Sequence, residues 1–249
     1  MPKFFVKDEQ INDNIITIIG EDVKHIKNVL RLKADDNIQI CNLKTSKNYT
    51  CGISKINNDN IKCVIFNEID SDCESKIKIS ILQGLPKADK MELIIQKSVE
   101  LGAYEITPIE MKRCVVRFDE KSKIKKIERW QKISEAAAKQ SGRDIVPKIN
   151  NIINVKNICN LFRNYDIVFV AYENEQNNTL KDELLKIKSK EINKINIGII
   201  IGPEGGIDKE EVEVLRNSGA KVITLGKRIL RTETASLVLL SNILYELEE

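Results

Sequence analysis

Two short stretches of this 249-residue chain combine residue types that could do chemistry. The first is Gly202-Pro203-Glu204-Gly205-Gly206, which directly follows the apolar run INIGIII (195–201) and directly precedes a helix start. Glycines at these positions let a backbone approach a ligand closely or take positive φ. Asp208 can cap the following helix, Glu211 stands at the reciprocal capping-box position, and Ile207 with Val212 can form a hydrophobic staple. In open parallel sheets ligands bind beyond the carboxyl ends of the strands, so this loop stands where a nucleotide-like cofactor would sit. A tight strand-to-helix turn with no ligand accounts for this loop, taken alone, about equally well. The second stretch is Leu225-Gly226-Lys227-Arg228-Ile229-Leu230-Arg231-Thr232-Glu233-Thr234-Ala235, after KVITL (221–225) and at the opening of the last helix. Thr232 has the type of an N-cap, and Glu233 suits the positive end of a helix dipole. Arg231 and Glu233 form a pair able to handle anions and protons, although a capped helix with a surface ion pair has the same makeup.

The elements that must position these loops are legible as alternating strands and helices from Lys76 onward. IKISILQGL (77–85), YDIVFVAYE (165–173), INIGIII (195–201) and KVITLG (221–226) read as buried strands, with a further strand at 104–109. Helices are expected over 90–101, closed by Gly102, over 123–141, closed by Gly142, and over 179–189, 208–218 and 234–247. Near-continuous apolar strands alternating with helices predict an α/β domain with a mainly parallel sheet covered on both faces. The first 70 or so residues differ. FFV (4–6), IITII (15–19), NIQIC (37–41), YTCGI (49–53) and IKCVIF (61–66) are short strand-like runs separated by Asn, Asp and Lys turns, as in a small barrel. Glu21–Leu32 breaks that pattern with a helical stripe of Val23, Ile26, Val29 and Leu30. The polar stretch 70–76 is the linker candidate.

Composition narrows the classes of function. The six cysteines include no C-x-x-C pair, and His25 is the single histidine, so a Cys/His zinc site lacks its spacing and no metal is expected. No apolar run approaches bilayer length and the first twenty residues hold no continuous apolar core of a leader, which reads as a cytoplasmic protein without a membrane partner. G-x-x-x-x-G-K-[ST] is absent, as is a correctly placed G-x-G-x-x-G, which argues against P-loop and dinucleotide enzymes. Net charge is only +3, yet residues 112–143 hold eleven Lys/Arg against four Asp/Glu. Such a concentration suits a polyanion partner, or else is the solvated face of a charged helix.

Taken together the two loops are far more specific. IGPEGG followed by LGKRILRTETA resembles the RsmE family of SPOUT RNA methyltransferases, and further pieces match in order. These are HIKNVLR (25–31), KADKMELIIQKSVELG (87–102), RCVV (113–116) and RWQKISEAAAKQSGR (129–143). The resemblance implies a PUA-like β-barrel over residues 1–72 and a SPOUT methyltransferase domain over 73–249 with a deep trefoil knot. It also implies a homodimer and S-adenosyl-L-methionine as cofactor. The implied reaction is methylation of N3 of one uridine in 16S ribosomal RNA of the small subunit. On that reading Ile201, Gly202, Pro203, Gly205 and Gly206 form one wall of the cofactor site. Leu225, Gly226, Ile229, Leu230, Thr234 and Ala235 form the other. Arg231 is expected to orient the uracil or stabilise its oxygens, and Glu233 or Glu204 to assist removal of the imino proton. RNA contact is expected at Arg113, Arg117, Lys139 and Arg143 and, on the barrel, at His25 and Arg31. A SPOUT enzyme acting on another position, or an RNA-binding protein without catalysis, remains an alternative; binding of S-adenosylhomocysteine separates the second.

Overall fold

The computed structural model describes residues 1–189 and 194–248. Two compact units emerge, Met1–Glu74 with Ala138–Val146, and Ser75–Ala137 with Pro147–Glu249.

The first unit is a sheet of mixed direction. Its strands are β1 (Lys3–Val6), β2 (Ile11–Asn12), β3 (Ile15–Ile19), β4 (Asn37–Asn42), β5 (Asn48–Ile56) and β6 (Asn60–Ile69), ordered β1-β4-β5-β6-β3-β2. Alternation turns Ile16, Ile18, Ile38, Ile40, Ile53 and Ile61 into one core with Phe4 and Val6. Cys51 and Cys63 sit in that core as small apolar groups. The helix expected over 21–32 is shorter and changes pitch. α1 (Glu21–Lys24) passes into a wide turn over His25–Val29, where the Leu30 N–H donates to the His25 carbonyl. Widening the turn rotates the stripe out of phase. Val23 and Ile26 remain buried, whereas Val29 and Leu30 face solvent, contrary to the expected four-residue stripe.

The tail of the unit is held by charge. Lys3 pairs with Asp144 at 2.6 Å, both side chains only 6% exposed, and Asn48 Nδ2 donates to the same carboxylate at 2.8 Å. Burial works against ionisation of Asp144, but hydrogen bonds from Lys3, Ser71, Cys73 and Asn48 outweigh it and hold the carboxyl below its ordinary pKa.

The second unit is an α/β layer. Its elements are β7 (Ile77–Gly84), α2 (Lys90–Glu100), β8 (Glu105–Glu110), α3 (Glu120–Ser141, whose last turn groups with the first unit), β9 (Lys148–Ile149), β10 (Ile153–Asn154), α4 (Val155–Cys159), β11 (Ile167–Ala171), α5 (Leu180–Lys188), β12 (Ile195–Ile201), α6 (Lys209–Asn217), β13 (Lys221–Ile223) and α7 (Thr232–Leu247). The strands run β10-β8-β7-β12-β11-β13 with β9 beside β8, and every pairing is parallel. β12 is inserted late, between β7 and β11, and its isoleucines are buried because neighbours cover both edges and both faces. The two-residue strands β9 and β10 and the short α4 carry too little pattern to be read from sequence.

Local chemistry sets the helix starts. Thr179 caps α5 by accepting from the Asp182 N–H, and Asp208 caps α6 by accepting from the Glu210 N–H. The capping box expected at Glu211 does not form, because its carboxylate accepts from the Lys112 N–H at 2.9 Å instead. α7 is apolar on most sides and buries Leu239, Leu240 and Ile243, worth roughly 1.5–3 kcal/mol each. Its N-cap is Arg231, with no side-chain bond, rather than Thr232. Thr232 lies one residue inside the helix and is buried, so its hydroxyl is spent elsewhere.

Candidate active site

The insertion of β12 makes a switch point. From the adjacent pair β7 and β12 the chain moves on in opposite directions along the sheet, β7 to β8 and β12 past β11 to β13, and a crevice opens beyond the carboxyl ends of β11, β12 and β13. A cavity of about 530 Å³ occupies it. Residues 201–206 form one wall and 224–231 another, with Tyr172 and Glu173 from the end of β11 and Lys90 from α2 between them.

The sequence-predicted cofactor residues gather here. Ile201, Gly202, Pro203, Gly205 and Gly206 line the cavity together with Leu225, Gly226, Ile229, Leu230 and Ala235. Thr234 does not, since the first turn of α7 carries it away from the wall. Gly206 has φ +71°, and a Cβ there would run into the Glu173 carboxylate. Ile229 is 85% exposed on the mouth of the cavity. Thr232 ties the walls together, its hydroxyl donating to the Gly202 carbonyl at 2.6 Å.

The charged groups form two sets. Lys90 Nζ lies 3.1 Å from Glu204 and 3.3 Å from Glu233. Glu204 also accepts from the Lys87 N–H at 3.1 and 3.2 Å. Burial raises the Glu204 carboxyl, but hydrogen bonds from backbone N–H groups and Lys90 outweigh it, so its pKa lies below the ordinary value. The hydrogen bond to Glu204 is the main cause that holds Lys90 above its usual value. Glu233 Oε2 is buried, and Lys90 is the cation it faces. Arg231 lines the same cavity, and among the described residues its side chain has no ion pair, like Lys227 and Arg228 on the rim.

The basic run of residues 112–143 is placed differently from the sequence expectation. Lys112 pairs with Asp208 and Glu210, Arg113 with Asp208, Lys123 with Glu110 and Glu120, and Arg129 with Glu92. Lys139 pairs with Asp22 at 2.7 Å. Arg143 is 5% exposed, and its guanidinium is engaged by Glu74. These two side chains are engaged by carboxylates within the first unit. Arg113 donates to the Gly205 carbonyl at 3.1 Å and so supports the glycine loop from outside. Arg117 donates to the Met111 carbonyl. His25 is exposed and meets Phe4 edge-on at 6.3 Å, and Arg31 is exposed at φ +55°. Carboxylates distant in sequence offset the basic run, which local charge counting could not show. Lys90, Tyr172, Glu173 and Thr224 were missed as lining residues; for Tyr172, Glu173 and Thr224 the ends of neighbouring parallel strands were the available signal, and Lys90 lies in the matching 87–102 stretch without a role read for it.

Among the described residues no cluster of His, Cys, Asp and Glu could hold a metal ion, and no helix is long and apolar enough to cross a membrane.

Comparison with known proteins agrees with this architecture. Residues 73–244 match the model of an RNA methyltransferase domain, and residues 18–66 that of an RNA methyltransferase PUA domain. Ribosomal RNA small subunit methyltransferase E of Bacillus subtilis is 37% identical over 100% of this chain and 98% of its own length. The structure of a Neisseria gonorrhoeae ribosomal RNA small subunit methyltransferase E bound to S-adenosyl methionine superposes with TM-score 0.84 at 29% identity, over 98% of this chain and 97% of that one. A Legionella pneumophila methyltransferase with bound cofactor SAM gives 0.86 at 26%, over 98% and 96%. Fold, loops and relatives agree: the chain belongs to the RsmE family of RNA methyltransferases.

Proposed function

We propose that the protein transfers the methyl group of S-adenosylmethionine to N3 of one uridine in 16S ribosomal RNA of the small subunit, as a homodimer in the cytoplasm. The observation that carries the reading is the cavity at the switch point, walled by the two glycine-containing loops. Its volume falls in the ~300–1,000 Å³ range of small-molecule sites. Its walls suit the cofactor. Ile201, Leu225, Leu230 and Ala235 offer apolar surface to an adenosine, and Gly205, Gly206 and Gly226 leave main-chain groups within reach. When bound, S-adenosylmethionine supplies a methyl group already activated on a sulfonium.

The remaining work falls to side chains. Uracil N3 is a poor nucleophile while it holds its imino proton. Arg231, without a carboxylate partner among the described residues, is assigned to the uracil oxygens, where negative charge develops. Of the two carboxylates, Glu204 is committed to the Lys87 N–H and to Lys90, and its lowered pKa makes it a weak base, so we assign it to positioning. Glu233 shares Lys90 at the longer distance of 3.3 Å, accepts from no backbone N–H among the described residues, and is assigned to proton uptake. RNA contact is assigned to Arg231 with Lys227 and Arg228 on the rim, and to Arg117, His25 and Arg31. The trefoil knot is part of the same reading, supported by the Thr232–Gly202 tie between the two loops. The homodimer is supported by large apolar side chains left in solvent, Tyr245 on α7 at 87% and Ile229 at 85%.

The test is the product. Small-subunit RNA treated with the protein and S-adenosylmethionine is digested to nucleosides, and 3-methyluridine is the expected new species. Methyl on a ribose or on another base would overturn the substrate assignment.

A further inference from the structure

We infer that Gln83 is a positioning residue for the cofactor cavity: its amide sets the direction of the Thr232 hydroxyl proton and thereby pins the Gly202 carbonyl of the glycine loop. This role rests on the reading of the cavity as an S-adenosylmethionine site. Gln83 is fully buried on β7, at a strand position whose neighbours are apolar, and it does not line the cavity. A buried amide is retained at low cost only when its donors and acceptor are all used.

They are all used here, and in one sense only. Nε2 lies 2.9 Å from the Gly84 carbonyl, which can only accept, so the nitrogen end of the amide is fixed. Its second proton points to Thr232 Oγ1, also at 2.9 Å. Oε1 lies 2.6 Å from the Ser236 hydroxyl, nearer than the Thr232 carbonyl at 2.9 Å that shares the same proton. Thr232 and Ser236 are four residues apart on α7 and so present one face of the helix to the strand. Because Thr232 Oγ1 receives a proton from Gln83, its own single proton must go elsewhere. The acceptor it meets is the Gly202 carbonyl at 2.6 Å. That peptide precedes Pro203, whose nitrogen carries no proton, so its plane is held from the carbonyl side. A glutamine 149 residues away from Thr232 in sequence therefore determines how the two walls of the cavity are spaced.

The experiment is calorimetric titration of the full chain with S-adenosylhomocysteine, from about pH 5.5 to about pH 8.5, for the wild type, Gln83→Glu and Gln83→Met. A protonated carboxyl has the shape of the amide but one proton where the amide has two, and burial raises the carboxyl pKa into this range. Gln83→Glu is expected to bind most tightly at the acid end, where its one proton can still be given to Thr232 Oγ1 with loss of the Gly84 bond. It should weaken by about tenfold toward the alkaline end, where a carboxylate accepts the Thr232 proton and frees Gly202. Gln83→Met should be about tenfold weaker throughout. A residue that only fills space would lower the melting temperature in both variants, with affinities that keep a constant ratio to the wild type as pH changes; that constant ratio would overturn the proposal. Thr232→Ser and Thr232→Val give an independent pair. The first should keep the affinity and the second lose it, and equal affinities would again overturn the proposal. A wild type that does not bind S-adenosylhomocysteine would overturn the cofactor reading itself, which is distinguishable from a wild type that binds while the variants show no pH dependence.

Discussion

Gly84 offers a perturbation that reaches the cofactor loop from behind. It ends β7, outside the cavity, and a Cβ there would stand 2.8 Å from both Cδ and N of Pro203 and 3.1 Å from the Gly202 carbonyl carbon. These are ring and backbone atoms that cannot rotate aside, so the loop itself must move. Overpacking of this kind costs roughly 1–3 kcal/mol, and the stiffer backbone of alanine in a strand returns about 0.5–1 kcal/mol of that. The net penalty for Gly84→Ala is therefore roughly 0.5–2 kcal/mol. If the loop bears it, affinity for S-adenosylhomocysteine falls about 2- to 30-fold. Gly198→Ala is the contrast. Its Cβ would meet the side chains of Tyr165, Val168 and Leu82 at 3.2–3.4 Å, which can give way inside the sheet. Its effect should appear in the melting temperature and not in binding. Calorimetric titration and thermal melts of both variants decide the matter. Gly84→Ala binding as tightly as the wild type would refute the claim that this strand end sets the wall of the cavity.

Other outcomes follow from the same geometry. Glu233→Gln should fold normally yet lose about 10²–10⁴-fold in turnover, the usual worth of general-base assistance; unchanged turnover in a single-turnover assay would remove Glu233 from proton transfer. Asp144 is held below its ordinary pKa of about 3.8, so the stability it lends is complete above that value and is lost as pH falls through the lower folded value. Asp144→Asn leaves Lys3 buried and unpaired and should cost ~3–5 kcal/mol at neutral pH, with a flatter acid limb in denaturant titrations. Burial pushes the thiols of Cys41, Cys51 and Cys63 up to about 12. A maleimide at about pH 8 should therefore label the exposed Cys73 and the half-buried Cys159 first and these three only after unfolding, as peptide mapping would show.

The parallel sheet was legible because its long strands are rich in Ile, Leu and Val with few polar breaks, β12 above all, with five isoleucines in Ile195–Ile201. The two loops were legible because glycine and charge are concentrated at strand ends. Three features were hidden. The wide turn at His25–Val29 depends on shifted backbone bonds, such as that from the Leu30 N–H to the His25 carbonyl, which no side-chain periodicity encodes. Thr232 has the type of a cap, but burial beside Gln83 and Gly202 gives its hydroxyl better partners than the helix end does. The basic helix looked like a polyanion surface because Asp22, Glu74 and Glu92, its carboxylate partners, lie far away in sequence. The shorter cluster Lys227, Arg228 and Arg231, at the mouth of the cavity, has no ion pair among the described residues.

The most direct test of the account incubates the protein with S-adenosylmethionine carrying a labelled methyl group and small ribosomal subunits from a strain without this activity. Any labelled nucleoside is then mapped by mass spectrometry. The account predicts label in 3-methyluridine at a single site of 16S ribosomal RNA, lost in Glu233→Gln. Label on a ribose or another base, or none at all with cofactor bound, would contradict it.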